Sequence, residues 1–554
     1  MSEDKQSTEC HQNCKSTTPE FIYGGPFIRN EKNDLILDIA TPPNVHLQGI
    51  FKRSFAYYSL KERLPIILTK VIDQLSRDGT KIKREHNATD DDIVCLIRHI
   101  TKLKSDLVTN KPFEKLQAGT PEAALWNSWL DNSEYKTYFT HLWVFSECYV
   151  YRRLWEGCEL SKNLKNFDYF AEQKDQSFQN SVELMCIVAE RLREMIKDED
   201  QSKRKANFVA LLKVCLWSNK CDLSLSNGEQ VGLSDGPNVI DPFVVTTQLK
   251  DKLLVDDSEK IYDGIVSRAE SFAKALQEPI KAKCSCDRMA GNVAKKMAAS
   301  KDANESKDQP ETEPCPAKMP HTVALDIICD NSGYELFTDL CVAHYLIATN
   351  IVKKIRFHVK MLPWFVSDVT PRDFKYVISS CATANYNREV PPKTEGESPI
   401  IISSKDLNEI GAEWTKFLED GTFEMLAEPY WTYPHIYRVS RGPTAAPVGR
   451  AVAALFKGDL NYRKLLGERN WGEGVSFEQA LEGFHPFPII ALRTVKADLI
   501  AGLPAGAAAR LSAIDARWME TGDYGVIQYC GKCDPAPQEP CELYGTTCDG
   551  EKCS

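Results

Sequence analysis

Four stretches of the chain place acidic, amide or cationic side chains directly after apolar, β-branched runs. Asp330 and Asn331 follow "LDIIC", Asp368 follows "KKIRFHVKMLPWFVS", and Asp459 follows "AVAALFKG". The fourth stretch, "FPIIALRTVKAD", delivers Lys496 and the arginine three residues before it. Ligands of open α/β sheets bind at the carboxyl ends of the strands. The sequence therefore predicts one site, built where several neighbouring strands end.

These side chains suit phosphoryl-ester hydrolysis with a divalent metal ion. Two aspartates and an asparagine oxygen are hard ligands that fit Mg²⁺ or Mn²⁺ and leave positions for water and substrate. Lys496 and Arg463 supply positive charge for a phosphate group. Asp459 is the candidate for general acid–base chemistry or for positioning.

Each residue also has a purely structural interpretation. An aspartate or asparagine before a helix is often an N-cap, which applies to Asp330 and Asp459. Lys496 taken alone fits a solvated surface charge. Glu335, in a first helical turn, complements the helix dipole. The functional interpretation depends on these residues meeting in one place.

Strands that alternate with helices must position the site. From His321 the chain carries short runs rich in Val, Ile and Leu, each followed by a helical pattern. Thr370 is expected to cap one of these helices, with Pro371 as its first residue. Such runs are typical of parallel strands covered on both faces, so the predicted fold is α/β, a mostly parallel sheet in a three-layer α-β-α sandwich. Strands are predicted in "TVALDIICD", "KKIRFHVKMLPWFVSD", "PIIISS", "AVAALFKGD", "FPIIALRTVKAD" and "DYGVIQYC".

In the N-terminal half, the apolar residues recur at a different spacing. In "YYSLKERLPIILTKVIDQLSRD", Leu60, Leu64, Ile67, Val71 and Leu75 recur at a spacing of three or four residues, which predicts an amphipathic helix. Similar patterns predict a mainly α-helical domain. The predicted organisation is a disordered tail at 1–40, a helical domain at 41–285, a disordered insertion at 286–320, an α/β catalytic domain at 321–530 and a Cys-rich tail at 531–554.

The overall composition argues against several classes of protein. The 554 residues carry a net charge of −10 and have a sequence pI near 5.7, which does not favour nucleic-acid binding. No run approaches about 18 apolar residues, and the N-terminus has no apolar signal segment, so no membrane association is expected. Nineteen cysteines, an odd number, argue against a disulfide framework. The expected location is cytoplasmic, with a nuclear location left open.

Several of these stretches resemble the damage-control phosphatase family, formerly a domain of unknown function. They are "DNSGYELFTDL", "SDVTPRDF", "FKGDLNYRKL" and "RTVKAD", and the last resembles the RTxK signature of one subfamily. With further stretches, from "SFAYYSLKERLPIILTKVIDQL" to "LWSNKCDLSLS", the resemblance spans most of residues 45 to 530. It implies a metal-dependent phosphoric monoester hydrolase for small sugar phosphates, with fructose 1-phosphate and fructose 6-phosphate among them.

The resemblance also implies roles for individual residues. Asp330, Asn331 and Asp368 match metal ligands, for Mn²⁺ or Ni²⁺ with Mg²⁺ or Co²⁺ as alternatives. Lys496 matches the lysine that contacts phosphate, and catalysis is assigned to Asp330, Asp459 and Lys496. The residues predicted to bind the substrate are Asp330, Asn331, Glu335, Asp368, Asp459, Leu460, Asn461, Tyr462, Arg463 and Lys496.

Two other functions stay open at this point. One family member has been assigned S-adenosylmethionine-dependent carboxyl methylation of proteins, so a methyltransferase is the first alternative. A methyl-donor site of the common type would show a glycine-rich turn after its first strand, whereas this chain has "CDNSG" there. The second alternative is a non-enzymatic interaction protein, which a complete metal and phosphate site would argue against.

Overall fold

A sheet lies at the centre of the fold. The computed structural model describes residues 27–29, 35–218, 241–277, 323–391, 399–439 and 451–533. Most of the strands come from the C-terminal half, where the sequence predicts them. The strands are β1 (Phe27–Arg29), β2 (Leu35–Leu37), β3 (Leu253–Asp256), β4 (Ala324–Ile328), β5 (Lys354–His358), β6 (Asn387–Val390), β7 (Ile400–Ser403), β8 (Phe423–Leu426), β9 (Ala454–Lys457), β10 (Ile489–Thr494) and β11 (Gly525–Cys530).

Seven of these strands form the central sheet, in the order β3-β11-β10-β9-β4-β5-β8. Strands β10 and β11 pair antiparallel, and every other neighbouring pair in the sheet is parallel. The carboxyl ends of β4, β9 and β10 therefore lie side by side at one edge. The predicted α/β fold with a mostly parallel sheet is confirmed.

Helices account for most of the remaining described residues. Thr370 caps one of them as predicted: its hydroxyl accepts the Asp373 amide, and Pro371 begins the helix. The helices are α1 (Phe55–Tyr58), α2 (Leu64–Arg77), α3 (Gly79–His86), α4 (Asp90–Val108), α5 (Pro121–Asn132), α6 (Trp143–Glu159), α7 (Ala171–Asn180), α8 (Val182–Lys197), α9 (Arg204–Ser218), α10 (Pro242–Gln248), α11 (Ser258–Gln277), α12 (Tyr334–Ala348), α13 (Pro371–Thr383), α14 (Lys405–Glu419), α15 (Gly458–Leu465), α16 (Phe477–Ala480) and α17 (Ala507–Ile514).

The sheet separates two hydrophobic cores. Successive side chains of a strand point to opposite faces: Leu325 and Ile327 of β4 enter one core, and Ile328 enters the other. Leu455 and Phe456 of β9 divide in the same way. Helices α8, α9, α11, α12, α13 and α14 contribute to the core on one face, and α2, α4, α5, α6, α15 and α16 contribute to the core on the other. Helices on both faces make the three-layer arrangement that the sequence predicts.

The helical and α/β segments share these layers. Strand β3 comes from within the predicted helical domain, yet it pairs with β11 at the edge of the central sheet. Helices α8, α9 and α11 of the same segment pack on the sheet. The predicted boundary between residues 285 and 321 therefore does not separate two cores, because each core takes residues from both segments.

Other sequence predictions change in detail. The predicted strand "PIIISS" forms β7, which pairs with β6 in a separate two-stranded hairpin, and β8 of the central sheet was not predicted. The predicted disordered tail at 1–40 is wrong for residues 27–29, which pair with β2 as strand β1. It is also wrong for residues 35–40, because the Leu37 amide donates to the Ile50 carbonyl at 2.8 Å and the Leu37 side chain is buried. The predicted insertion at 286–320 and most of the Cys-rich tail, from residue 534, lie outside the described residues.

Every cysteine in the described ranges is a free thiol, and most of these are buried. Cys530, directly before the predicted Cys-rich tail, is the buried last residue of β11. Among the helices of the described ranges, none combines the length and the apolar composition that crossing a membrane requires.

Candidate active site

The end of β4 forms the centre of the candidate site. After Ile328 the chain turns through Asp330 and Asn331, and Gly333, at φ 68°, allows the turn into α12. The Asn331 amide nitrogen donates to Asp330 Oδ2 at 3.1 Å and to Glu335 Oε2 at 2.8 Å. These bonds fix which end of the Asn331 side chain is the oxygen. That oxygen accepts the Ser367 hydroxyl at 2.6 Å.

Asp368 reaches the same place by a different route from the one predicted. Strand β5 ends at His358, and Asp368 lies ten residues later, so it does not end the strand. The loop between them folds back: Asp368 pairs with Asn331 in an isolated β-bridge. Phe365 and Val366 of this loop have φ angles of 43° and 72°, a region that non-glycine residues rarely adopt. Long-range pairing therefore positions Asp368.

A buried lysine contacts Asp368. Lys360 Nζ lies 3.3 Å from Asp368 Oδ2 and donates to the Cys329 carbonyl at 3.3 Å. Both side chains are almost fully buried. Since a buried charge is costly unless it is paired, each of these two groups offsets the cost of burying the other.

The start of α15 closes over Asp330. Gly458 has φ 81°, and a Cβ atom built on it would lie 1.8 Å from Asp330 Oδ2. The backbone after β9 thus approaches the carboxylate more closely than any side chain would permit. Asp459, which was predicted to end the strand, lies two residues past the end of β9, in the first turn of α15. Its Oδ1 accepts Arg493 Nε at 2.7 Å and the Lys496 amide at 3.2 Å.

The arginine of "RTVK" holds the loop that carries Lys496. Arg493 is fully buried and donates to the carbonyls of Leu499 and Ala497 at 2.6 and 2.8 Å. Its guanidinium also lies over the Tyr462 ring, 4.4 Å from the centroid. Arg493 therefore acts on the site through the backbone around Lys496.

These elements surround a narrow cavity that opens to solvent and has a volume of about 30 Å³. Most of the predicted site residues line it. The wall opposite the sheet edge comes from the helical segment and the 359–369 loop, and sequence reasoning missed it. The lining residues are Asp330, Asn331, Asp368, Asp459, Leu460, Arg463 and Lys496 from the prediction, together with Phe55, Arg63, Trp143 and Phe365.

Three predicted substrate contacts do not line the cavity. Glu335 is buried behind Asn331, where its Oε1 lies 3.1 Å from Lys457 Nζ. Asn461 accepts the Tyr437 hydroxyl at 2.5 Å and donates to the Lys457 carbonyl. Tyr462 donates its hydroxyl to Gln528 at 2.7 Å. Asn461 and Tyr462 point into the packing because α15 presents only one face to the cavity.

Arg463 occupies the cavity wall within a buried ionic network. Its NH1 donates to Glu147 Oε2 at 2.6 Å, while Nε and NH2 donate to Glu468 at 3.0 and 2.6 Å. Burial by itself lowers the pKa of Arg463, but the two carboxylates outweigh burial and raise it. Burial raises the pKa of Glu468 to about 7. The guanidinium lies 3.5 Å from the centroid of the Trp143 ring.

The predicted metal ligands bring oxygen donors together. The described part of the chain holds no group of three or more His, Cys, Asp or Glu side chains suited to a metal ion. Asp330, Asn331 and Asp368 instead offer two carboxylates and one amide oxygen to one cavity. Hard oxygen donors of this kind fit Mn²⁺ or Mg²⁺ better than a metal that prefers thiolates.

Comparisons with known proteins give the family. A family model described as the damage-control phosphatase ARMT1-like domain matches residues 59–276 and 292–511. A zebrafish (Danio rerio) protein named damage-control phosphatase ARMT1 is 33% identical over 501 residues, which cover 88% of this chain and 97% of the relative. The human protein of the same name is 33% identical over 502 residues, covering 88% and 98%.

A crystal structure of a DUF89 family protein from Pyrococcus horikoshii is also similar. It covers 79% of this chain and 95% of its own, at 12% identity and a TM-score of 0.33. At that score it adds nothing to the assignment, which rests on the family model and on the two relatives. The matches span both the helical and the α/β segments. The chain therefore belongs to the ARMT1-like damage-control phosphatase family.

Proposed function

We propose that this protein hydrolyses phosphate monoesters of small sugars, such as fructose 1-phosphate and fructose 6-phosphate, with a divalent metal ion held by Asp330, Asn331 and Asp368. The sugar class follows from the family resemblance. The single observation that carries the reaction class is the meeting of these oxygen donors with Lys496 and Arg463 in one cavity. Mn²⁺ or Ni²⁺ is the proposed metal.

The charges around the cavity support a phosphate monoester. Among the residues that the structure describes, its lining carries equal numbers of carboxylates and cations. Two charges from a divalent cation would then match those of a phosphate monoester dianion, so the added charges would balance in a buried site. The lining charges are Asp330, Asp368 and Asp459 against Arg63, Arg463 and Lys496.

The protein's own groups then have separate roles. Asp330, Asn331 and Asp368 would hold the metal ion, which would supply Lewis acidity and lower the pKa of a bound water. Lys496 neutralises charge on the phosphoryl group as it is transferred. Asp459 accepts hydrogen bonds from Arg493 and from the Lys496 backbone, so it positions the loop rather than transferring a proton. Trp143 and Phe55 form an apolar wall that excludes water from the reacting group.

The test is a panel of phosphate esters assayed with Mn²⁺ and with chelator. Asp330→Ala and Asp368→Ala are expected to reduce turnover to the level measured in chelator while the protein stays folded. The matched control is Asp175→Ala, which removes a carboxylate that pairs with Arg372 away from the cavity. Turnover that chelator does not change, or near wild-type turnover in either cavity variant, would contradict the metal assignment.

A further inference from the structure

A buried carboxylate of the helical segment joins two arginines that line the cavity. Glu147 Oε1 accepts Arg63 NH2 at 2.5 Å, and its Oε2 accepts Arg463 NH1 at 2.6 Å. The Ser59 hydroxyl also donates to Glu147, at 2.8 Å, and accepts Arg63 NH2 at 2.9 Å. Glu147 is therefore shared between a π-helical turn, Ser59–Arg63, and helix α15.

In this arrangement two guanidinium groups bind the two oxygens of one carboxylate. Their like charges repel, and Glu147, which is fully buried, offsets that repulsion. The planar guanidinium has five N–H donors in a fixed fork, which matches the oxygens of a phosphate group. Because Arg63 and Arg463 both line the cavity, their arrangement serves more than the contact between the segments.

A second buried arginine of the same segment shows what a purely structural pair looks like. Arg152 is paired with Glu122 and Glu159, and its side chain is 1% exposed, against 6% for Arg63. Arg152 is absent from the cavity lining, whereas Arg63 is part of it. Both arginines are buried and each is paired with a carboxylate, but only Arg63 can reach a ligand in the cavity.

We propose that Arg63 contacts the phosphoryl oxygens of the substrate together with Arg463, and that Glu147 is the positioning residue that holds both guanidinium groups. This inference deepens the proposed phosphatase function and rests on it. It makes the helical segment part of the active site, since α15 and the sheet edge alone supply only one of the two arginines.

Binding of inorganic phosphate in saturating Mn²⁺ tests the inference directly. Arg63→Gln is expected to weaken phosphate binding by about 10- to 100-fold, the loss typical of one charge-assisted hydrogen-bonding partner. In the same variant, the KM for the sugar phosphate should rise. Arg152→Gln is the matched control: it removes another buried, carboxylate-paired arginine and should leave the affinity for phosphate unchanged. Calorimetric Mn²⁺ binding should be the same in both variants.

The role of Glu147 has its own readout. Glu147→Gln keeps the shape of the side chain but leaves the arginines without their shared carboxylate, so phosphate binding should weaken. The loss in the double variant Arg63→Gln/Glu147→Gln should be smaller than the sum of the single losses, because both changes act on one contact. Additive losses would show that Glu147 does not act through Arg63.

The outcomes separate this inference from the proposed function. Wild-type phosphate affinity in folded Arg63→Gln would overturn the inference and leave the phosphatase assignment intact, and so would equal losses in Arg63→Gln and Arg152→Gln. A wild-type protein that binds no phosphate would also overturn it. If the wild type binds phosphate through Arg63 yet hydrolyses no ester of the panel, the proposed function fails while the contact stands.

Discussion

Replacing Gly458 with alanine tests whether Asp330 must lie where the structure places it. Gly458 adopts φ 81°, and a Cβ on it would lie 1.8 Å from Asp330 Oδ2, where real Cβ contacts essentially never fall below 3.0 Å. The Asp330 carboxylate must then move by about an ångström or more. Displacing a catalytic group by about 1 Å can cost roughly 100-fold in rate, so kcat/KM should fall by about that factor.

The backbone effect of this substitution has to be separated from the clash. An alanine in the left-handed region costs about 1–2 kcal/mol of stability wherever it is placed. Gly421 supplies the control, because it has φ 78° and a Cβ added to it would meet no atom within 4 Å. Gly421→Ala should lose the free energy of unfolding that this backbone conformation costs, and it should keep its activity.

The assay combines urea unfolding, kcat/KM for fructose 1-phosphate in Mn²⁺, and calorimetric Mn²⁺ binding for both variants. Gly458→Ala should lose activity and bind Mn²⁺ more weakly, because Asp330 is a proposed ligand. If Gly458→Ala matched Gly421→Ala in kcat/KM and in Mn²⁺ affinity, the proposed role of Asp330 would be refuted.

Further predictions concern Lys496 and Glu468. Lys496→Met keeps much of the side-chain stem and removes the charge, so kcat/KM should fall about 30- to 1,000-fold while Mn²⁺ affinity changes little; unchanged hydrolysis would exclude Lys496 as the phosphate contact. Burial raises the pKa of Glu468 to about 7 from 4.5, so Glu468 keeps its proton in the folded protein at pH values where the unfolded chain releases it. The contribution of Glu468 to the free energy of unfolding should therefore fall as pH rises from about 4.5 to about 7, and Glu468→Gln should remove that part of the slope in urea titrations. Parallel pH profiles for the two proteins would contradict this assignment.

The local pattern of apolar and polar residues was enough to predict most strands of the central sheet. Strands β4, β9 and β10 are apolar runs ended by polar residues, and a parallel sheet brings their carboxyl ends to one edge. Asp330 and Asn331 could be placed from the sequence for this reason. Strand β3 could not, since four residues within a helical segment give little periodic signal and only pairing with β11 makes them a strand.

The direction of a side chain depended on packing. The run from Asp459 to Arg463 is continuous in sequence, but a helix turns successive residues to different sides. Asp459, Leu460 and Arg463 line the cavity, whereas Asn461 and Tyr462 bind groups of the protein interior. A family motif marks such a run as a unit and does not say which of its members face the ligand.

The sequence by itself determined the fold class and the chemical character of the site, because periodicity and residue type are local properties of the chain. Tertiary structure alone decided how the site closes. Asp368 reaches Asn331 only because a loop folds back over ten residues, and Arg63 meets Arg463 only because Glu147 joins two segments that lie 316 residues apart in the chain. Contacts of that range depend on the packing of the whole molecule, which no short stretch of sequence encodes.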